Sequence, residues 1–326
     1  MNKSIKFIFN FFLAPVLFIL LCFSLYHQIS QQPDLPRRWH TLSHNWNQPL
    51  FYVVVGMMLL NYGLEARKWQ LQVAPLEKLS FFRAFKSVMA GCSITLMVPN
   101  RMGEYGGRIL FVSEGSRARA VSLTVLGSIA QLIITLLMGV VGIIVIKFFA
   151  TSNIPVSERL PFVLEDVLLA VSILLVIFLL WVYFKVNNWV SFLERFKIIS
   201  GIVKYITVLH SVSRKTLLRI LSISFFRYLV FILQYIWLLQ VTDVDIPLWS
   251  CFWIISVFYL VMAVVPTIGF VELPLRAVAS VGLLSAYSDN VLGIQAAALG
   301  IWIINLVLPA IIGSLLIFGV KVLKEK

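Results

Sequence analysis

Long apolar runs with few charges are the feature of this sequence that most restricts its fold. Several reach the roughly 20 residues that an α-helix needs to cross about 30 Å of hydrocarbon. The chain of 326 residues is 60% hydrophobic and 13% charged, and its mean hydropathy is +0.95. Because the runs are continuous, and because backbone amides in a bilayer need internal partners, we expect helices and not barrel strands. The sequence therefore predicts an all-α polytopic membrane protein.

Six of the apolar runs are long enough to be full membrane spans. We place these spans at about residues 7–29, 50–70, 119–147, 162–185, 217–241 and 290–320. The first run follows two lysines, as in a secretory signal, but no small-residue cleavage site comes after it. We therefore interpret it as a retained helix.

Two further apolar regions are interrupted by proline and glycine. The first break runs from Pro99 to Gly103, and the second runs from Pro266 to Gly269. The helical segment that resumes after each break is short for a crossing. We therefore predict two re-entrant helical hairpins, which are tolerated at membrane depth only where they are buried in protein or line a polar cavity. The hairpins are placed at residues 79–116 and 248–288.

The distribution of basic residues orients the spans. The formal net charge of +13 would fit nucleic acid, but most of the 27 Lys and Arg residues fall on one side of the predicted spans. That asymmetry is typical of basic cytoplasmic loops that face anionic lipid. We therefore expect both termini in the cytoplasm and no nucleic-acid partner. An odd number of spans separates the two hairpins, so they have inverted topology.

Each hairpin contains the pattern Glu-x-x-x-Arg shortly after its break. Glu104 precedes Arg108 in the first hairpin, and Glu272 precedes Arg276 in the second. A Glu and an Arg at this spacing lie on one helical face and can pair. Broken helices of opposite topology that meet near the membrane midplane form the substrate site in many transporters.

The arginines of the two hairpins are candidate ligands for an anionic group. Arg108, Arg276 and Arg101 would attract a lipid phosphate, which guanidinium groups bind in a bidentate manner. Glu104 and Glu272 would orient these arginines or receive a cationic part of the headgroup. The alternative is that both pairs only hold the hairpins together or reach for the interface, since pairing alone lowers the cost of an intramembrane charge.

Other polar residues in the spans are weaker candidates. Arg227, about ten residues into the fifth span, is either another headgroup-binding cation in a cavity or a side chain that extends to the cytoplasmic interface. Glu65 and Lys68 lie before Trp69 and are typical of an interface anchor, although Glu65 could reach a cavity. Helix-to-helix hydrogen bonds are the expected role of Asn61, Gln131, Gln234 and Asn305.

Neither metal nor cofactor chemistry is indicated. The three cysteines are far apart in apolar segments, and His40 and His44 offer too few ligands for a metal. The sequence contains no phosphate-binding loop, dinucleotide fingerprint or hydrolase elbow. We therefore expect no metal, no cofactor and no soluble catalytic centre.

The two broken loops resemble those of a known family. The first loop reads VPNRMGE at 98–104 and is followed by Arg108, and the second reads PTIG at 266–269 and is followed by Glu272. Together with the basic-Trp segment at 67–69, they are similar to the signature loops of the lysylphosphatidylglycerol synthase transmembrane-region family. This family is the flippase-like membrane domain of the multiple peptide resistance factor, and it also occurs as stand-alone bacterial and archaeal proteins.

The resemblance implies lipid translocation or lipid handling by one flippase-like transmembrane domain over residues 1–326. We expect a transporter that moves an anionic or zwitterionic lipid, or a lipid-linked amphiphile, between leaflets of the bacterial inner membrane. The family's fused aminoacyl-transferase domain does not follow the last span, so we expect no synthesis of lysyl-lipid by this chain.

Two other functions remain open at this point. The chain could be a lipid-binding scaffold for a separate lipid-synthesising enzyme, or a membrane enzyme that uses Glu104 or Glu272 as general base. Membrane lipids are the expected partners in each case, and a homodimer is also left open.

Overall fold

The computed structural model describes residues 14–32, 34–97, 103–149, 162–195, 200–265 and 271–324. Every regular element in these ranges is helical, which confirms the predicted all-α class. Four residues named for the predicted loops, Pro99, Arg101, Pro266 and Gly269, lie outside the described residues.

Helices follow one another along the described ranges. In chain order the α-helices are α1 (Ala14–Ser30), α2 (Leu35–Asn45), α3 (Pro49–Val73), α4 (Phe81–Met97), α5 (Gly103–Ile109), α6 (Arg117–Phe149), α7 (Phe162–Phe184), α8 (Val186–Leu193), α9 (Ser200–Ile206), α10 (Arg214–Val241), α11 (Leu248–Val264), α12 (Glu272–Leu284), α13 (Val291–Trp302) and α14 (Leu308–Lys324). A 3-10 turn at Glu114–Ser116 precedes α6, and another at Thr207–Ser211 precedes α10.

Within the described ranges, four helical stretches are long and apolar enough to cross a membrane. They are Pro49–Val73, Glu114–Phe148, Arg214–Val241 and Val291–Leu316. Each corresponds to a predicted span. The span predicted at 162–185 corresponds to α7, which meets α8 at a bend of 75° and is a fifth candidate. The span predicted at 7–29 lies partly outside the described residues. The chain is thus a multi-pass membrane protein.

The last predicted span is not a uniform helix. A π-helical segment, Ile303–Val307, joins α13 to α14. Pro309 follows this segment and has no amide hydrogen to donate to the carbonyl of Asn305, which interrupts the regular hydrogen-bond pattern.

The described helices group into two compact units. The first unit comprises Met1–Met57, Val141–Arg159 and Ile232–Asn305. The second unit comprises Met58–Val140, Leu160–Phe231 and Leu306–Lys326. The hairpin predicted at 79–116 belongs to the second unit and the one at 248–288 to the first, so a cavity between the hairpins stays a prediction.

In the second unit, α5 runs antiparallel to α4 at very close range. A Cβ atom added to Gly107 would overlap the backbone of Gly91, and one added to Gly103 would overlap the backbone of Thr95. The hydroxyl of Ser87 also donates to the carbonyl of Arg108, at 2.9 Å. Glycine is needed at 103 and 107 because any side chain there would push the two helices apart.

Helix α14 packs against α4 in the same unit. A Cβ atom at Gly313 would overlap the carbonyl of Met89, and the Ser93 hydroxyl donates to the carbonyl of Ala310 at 2.8 Å. Small residues that let helix backbones approach are typical of membrane helix packing. Helix α4, between α5 and α14, therefore has little freedom to move.

Apolar residues recur between Val186 and His210 at a spacing that predicts one amphipathic helix, but the structure divides this connector into shorter helices. It contains α8, α9 and a 3-10 turn. Val186, Val190 and Val212 are buried in a core cluster that includes Ile220 of α10 and Leu123 of α6. These buried residues hold the connector against the spans.

In the first unit, α12 packs against α13, α1 and α11, and α2 packs against α13. Asn290 fixes the start of α13, since its side-chain oxygen accepts from the amide of Gly293 at 3.0 Å. Its amide group donates to the carbonyls of Thr242 and Asp243 at 3.1 and 2.8 Å. This cap joins α13 to the end of α10.

Substitution of Gly107 by alanine should destabilise the protein because the new methyl group would displace α5 from α4. Overpacking of this kind costs about 1–3 kcal/mol, which would lower the melting temperature in detergent by several degrees. Gly106→Ala is the matched control, since its Cβ would meet only the Ile94 side chain, at 3.9 Å. Equal melting temperatures for the two variants would contradict the close packing of α4 and α5.

Candidate functional site

A buried carboxylate on α3 is the centre of a charged cluster in the second unit. Glu65 is only 3% exposed. Its Oε1 is 2.8 Å from Nη2 of Arg108, and its Oε2 is 2.8 Å from Nζ of Lys68. Oε2 also forms an ion pair with Nη1 of Arg227. One carboxylate thus joins cations from α3, α5 and α10.

Arg227 points into this cluster, and its role as a headgroup-binding cation stays a prediction. Its Nε donates to Oδ1 of Asn61 at 3.0 Å, and its Nη1 donates to Oε1 of Gln131 at 3.1 Å. Gln131 in turn donates to the carbonyl of Ser224 at 3.3 Å. Asn61 and Gln131 therefore make the expected helix-to-helix hydrogen bonds, and these bonds hold the arginine beside Glu65.

Gln234 and Asn305 form a separate polar contact in the first unit. The Asn305 amide donates to Oε1 of Gln234 at 2.8 Å, and Gln234 donates to the carbonyl of Val54 at 2.8 Å. These two side chains also connect helices, as the sequence predicts, and they contact no charged group in these bonds.

Arg108 links Glu65 to the more open edge of the cluster. Its Nη2 is 3.2 Å from Oε2 of Glu104, the residue four positions earlier on α5. The Glu104 side chain is 33% exposed, against 4% for that of Glu65. The guanidinium carbon of Arg108 also lies 5.8 Å from the ring centroid of Trp69, in cation–π range. Glu104 is therefore the accessible side of the cluster.

The glycines of α5 explain how Arg108 reaches Glu65. Gly103 and Gly107 bring α5 against α4, and the spacing of four residues puts Glu104 and Arg108 on one face of α5. The acidic residue lies in the first turn and the basic residue in the last turn, which also suits the helix dipole.

The cluster carries more positive than negative charge. Among the described residues, Arg108, Arg227 and Lys68 face two carboxylates, those of Glu65 and Glu104. In addition, the buried Nε of Arg108 has no hydrogen-bond partner among the described residues. Ions in hydrocarbon are costly unless they are paired, so one formal positive charge and one free donor suit an anionic ligand.

The second Glu-x-x-x-Arg pattern also forms a pair, within the first unit. On α12, Nε and Nη2 of Arg276 donate to Oε1 of Glu272 at 3.0 and 2.7 Å. Both side chains are largely buried, at 11% and 14% exposure. The same pair chemistry is therefore present in both units.

The described residues offer no metal centre. No group of three His, Cys, Asp or Glu side chains in these ranges is placed to hold a metal ion. The rings of His40 and His44 stack on α2 with centroids 4.4 Å apart. Cys22, Cys92 and Cys251 are free thiols.

A family comparison places these residues in context. The model of the lysylphosphatidylglycerol synthase transmembrane region matches residues 10–314. The chain belongs to this family. Its membership indicates a function connected with membrane lipids, and both Glu-x-x-x-Arg pairs and the Glu65 cluster fall inside the matched region. Comparisons with curated proteins and with solved structures find no significant match.

The central position of Glu65 in this family member is not evident from its sequence. Glu65 precedes Lys68 and Trp69 at the end of a span, a pattern typical of an interface anchor. The sequence feature that could have revealed the cluster is the position of Glu65, one helical turn after Asn61 and on the same face of a membrane helix. Only the tertiary structure brings Arg108 and Arg227 to that face.

Removal of the Glu65 charge should destabilise this family member. Glu65→Gln leaves three buried cations facing one carboxylate, and breaking a buried ion pair costs about 3–5 kcal/mol. The melting temperature in detergent should fall by about 5–10 °C. The double variant that carries Glu65→Gln and Arg227→Gln should lose less stability than the sum of the losses in the two single variants, because the two residues interact directly.

Arg83→Gln is the matched control for this experiment. Arg83 is 52% exposed and lies 3.6 Å from Glu77, so its loss should change stability by less than about 1 kcal/mol. Additive losses of stability for Glu65→Gln and Arg227→Gln would contradict a direct interaction between these two residues.

Proposed function

We propose that this protein is a lipid flippase-like transporter that moves an anionic or zwitterionic lipid, or a lipid-linked amphiphile, between leaflets of the bacterial inner membrane. The observation that carries the proposal is the cation-rich cluster around Glu65, on helices that include two candidate membrane spans. A charged cluster in such a place is costly, and intramembrane charges of this kind commonly mark a substrate pathway.

The headgroup phosphate would bind at the Arg108 edge of the cluster. A guanidinium group binds phosphate through parallel N–H bonds. The buried Nε of Arg108 has no partner among the described residues, and it would make one of these bonds once Glu104 turns away. The partly exposed Glu104 marks the side from which a headgroup would approach. An amine on a zwitterionic headgroup would pair with the Glu104 carboxylate.

The carboxylates would also make release possible. A site of bare cations would hold a phosphate too tightly for transport, since a substrate must leave as well as enter. Glu104 competes with the phosphate for Arg108, and Glu65 keeps Arg108 and Arg227 together when no lipid is bound. The pairs would thus exchange partners as the lipid passes.

Arg276 and Glu272 would bind the headgroup in the first unit by the same chemistry, and Arg101, outside the described residues, stays a predicted headgroup ligand. We further propose that both termini are cytoplasmic, in line with the basic loops. A lipid-synthesising enzyme would supply the substrate, and the chain itself would catalyse no reaction.

Replacement of Arg108 by lysine should slow lipid movement at least tenfold, because lysine keeps the charge but cannot bind phosphate through a planar pair of donors. The measurement is leaflet-resolved movement of fluorescent phosphatidylglycerol in proteoliposomes. Arg83→Lys, on the exposed pair with Glu77, is the control and should match the unaltered protein. Melting temperatures of all three proteins show whether the variants are folded.

The same assay discriminates among the three functions. If no probe moves in a panel of phosphatidylglycerol, cardiolipin, aminolipid and polyprenyl phosphate, unassisted transport is wrong. Turnover of a headgroup by the pure protein, followed by mass spectrometry, would favour the membrane enzyme. Lipid binding without movement or turnover would favour the scaffold.

A further inference from the structure

An open apolar pocket of about 340 Å³ lies in the first unit, away from the ion pairs described above. It is formed by α2 and the residue after it, by the end of α1, and by α13 with the first residue of the π-helical segment. Trp39, Leu42 and Trp46 line one side, and Leu299 and Gly300 line the other. This pocket plays no part in the headgroup site.

The lining of the pocket is suited to hydrocarbon and not to a polar ligand. Gln295 is its one polar side chain, and the amide of Gln295 already donates to Oε1 of Gln28 at 2.9 Å. Polar ligands are normally oriented by a few convergent polar groups, and this pocket presents no such set. Its occupant is therefore expected to be an apolar chain.

The position of the pocket along the membrane span also fits a lipid tail. Its α13 side extends from Leu292, in the first turn of the span Val291–Leu316, to Ile303. At 1.5 Å per residue this is about 16 Å of helix, starting at the end of the span and running into the hydrocarbon. Trp39, 62% exposed at the pocket edge, is of the residue type that lies at membrane interfaces.

Arg38 directly precedes Trp39, a residue of α2 that lines the pocket. Trp39, Leu42 and Trp46 lie on one face of α2 by helical periodicity, and Arg38 lies beside that face whereas Arg37 lies opposite. Arg38 is half-buried and Arg37 is exposed, as this placement requires. Neither guanidinium forms an ion pair with any residue that the structure describes, so Arg38 is free to meet an anionic headgroup.

Hydrogen bonds between the end of α1 and the start of α13 hold two sides of the pocket together. Besides the bond from Gln295 to Gln28, Oε1 of Gln32 accepts from the amide of Leu292 at 2.7 Å. Gln32 also donates to the carbonyl of Asp289 at 3.0 Å. The pocket is thus largely formed before a ligand binds.

We infer that this pocket binds one acyl chain of an anionic phospholipid, whose headgroup is held by Arg38. The binding is an equilibrium property of the first unit and does not depend on the proposed transport. Its failure would leave the Glu65 site untouched, and absence of transport would leave this site untouched.

The test is photolabelling of the full-length protein in phosphatidylcholine vesicles that contain phosphatidylglycerol with a photoreactive group in its acyl chain. Labelled peptides should come from 39–46 and 292–303. Ala296→Phe fills the pocket from a half-buried lining position and should abolish this labelling. Ile311→Phe, on an exposed position of the same span, should leave it unchanged.

A second pair of variants tests the headgroup contact without altering the pocket. Arg38→Gln should reduce phosphatidylglycerol labelling about fivefold, as expected for one cation near a lipid of net negative charge. Arg37→Gln should have little effect, and a phosphatidylcholine probe should respond to neither change. Labelling that Ala296→Phe does not reduce, or equal losses for Arg37→Gln and Arg38→Gln, would overturn the inference. Cross-linking of two protein chains through α2 in place of lipid labelling would also overturn it.

Discussion

The ion pairs of Glu65 are the interaction on which the second unit depends. This carboxylate lies within ion-pair distance of Lys68, Arg108 and Arg227 and is nearly excluded from the surface. Three cations so close together would repel one another in an apolar environment, and the cost of burying them would be prohibitive without an anion. Glu65 therefore makes it possible for membrane helices to hold a surplus of positive charge.

The close packing of α4, α5 and α14 positions the residues of the Glu65 cluster. The glycines at 103 and 107 bring α5 against α4, which carries Arg108 to the carboxylate, and α14 packs on the other side of α4 through Gly313. Asn61 and Gln131 fix the guanidinium of Arg227 by hydrogen bonds. The backbone contacts are too close to adjust, so the geometry of the cluster is set by the helices and not by flexible side chains.

Sequence reasoning was most successful where the physical signal is local. Continuous apolar runs predict the spans that the structure forms. The Glu-x-x-x-Arg spacing predicts two ion pairs within helices, and the structure contains both, Glu104 with Arg108 and Glu272 with Arg276. The role of Glu65 was missed because it depends on residues 43 and 162 positions away along the chain. The connector at 186–211 departed from a single helix for a similar reason, since Val186, Val190 and Val212 are held by distant core residues.

The central claim is that the cations gathered by Glu65 bind the phosphate of a lipid. Its most direct test is a cryo-electron microscopy structure of the protein, bound to an antibody fragment, in nanodiscs that contain phosphatidylglycerol. We expect phosphate density within hydrogen-bond distance of the Arg108 guanidinium, with Glu104 turned away from that arginine. A lipid-saturated structure in which Arg108 remains paired with both Glu65 and Glu104, and in which lipid phosphates lie only at the membrane surfaces, would contradict it.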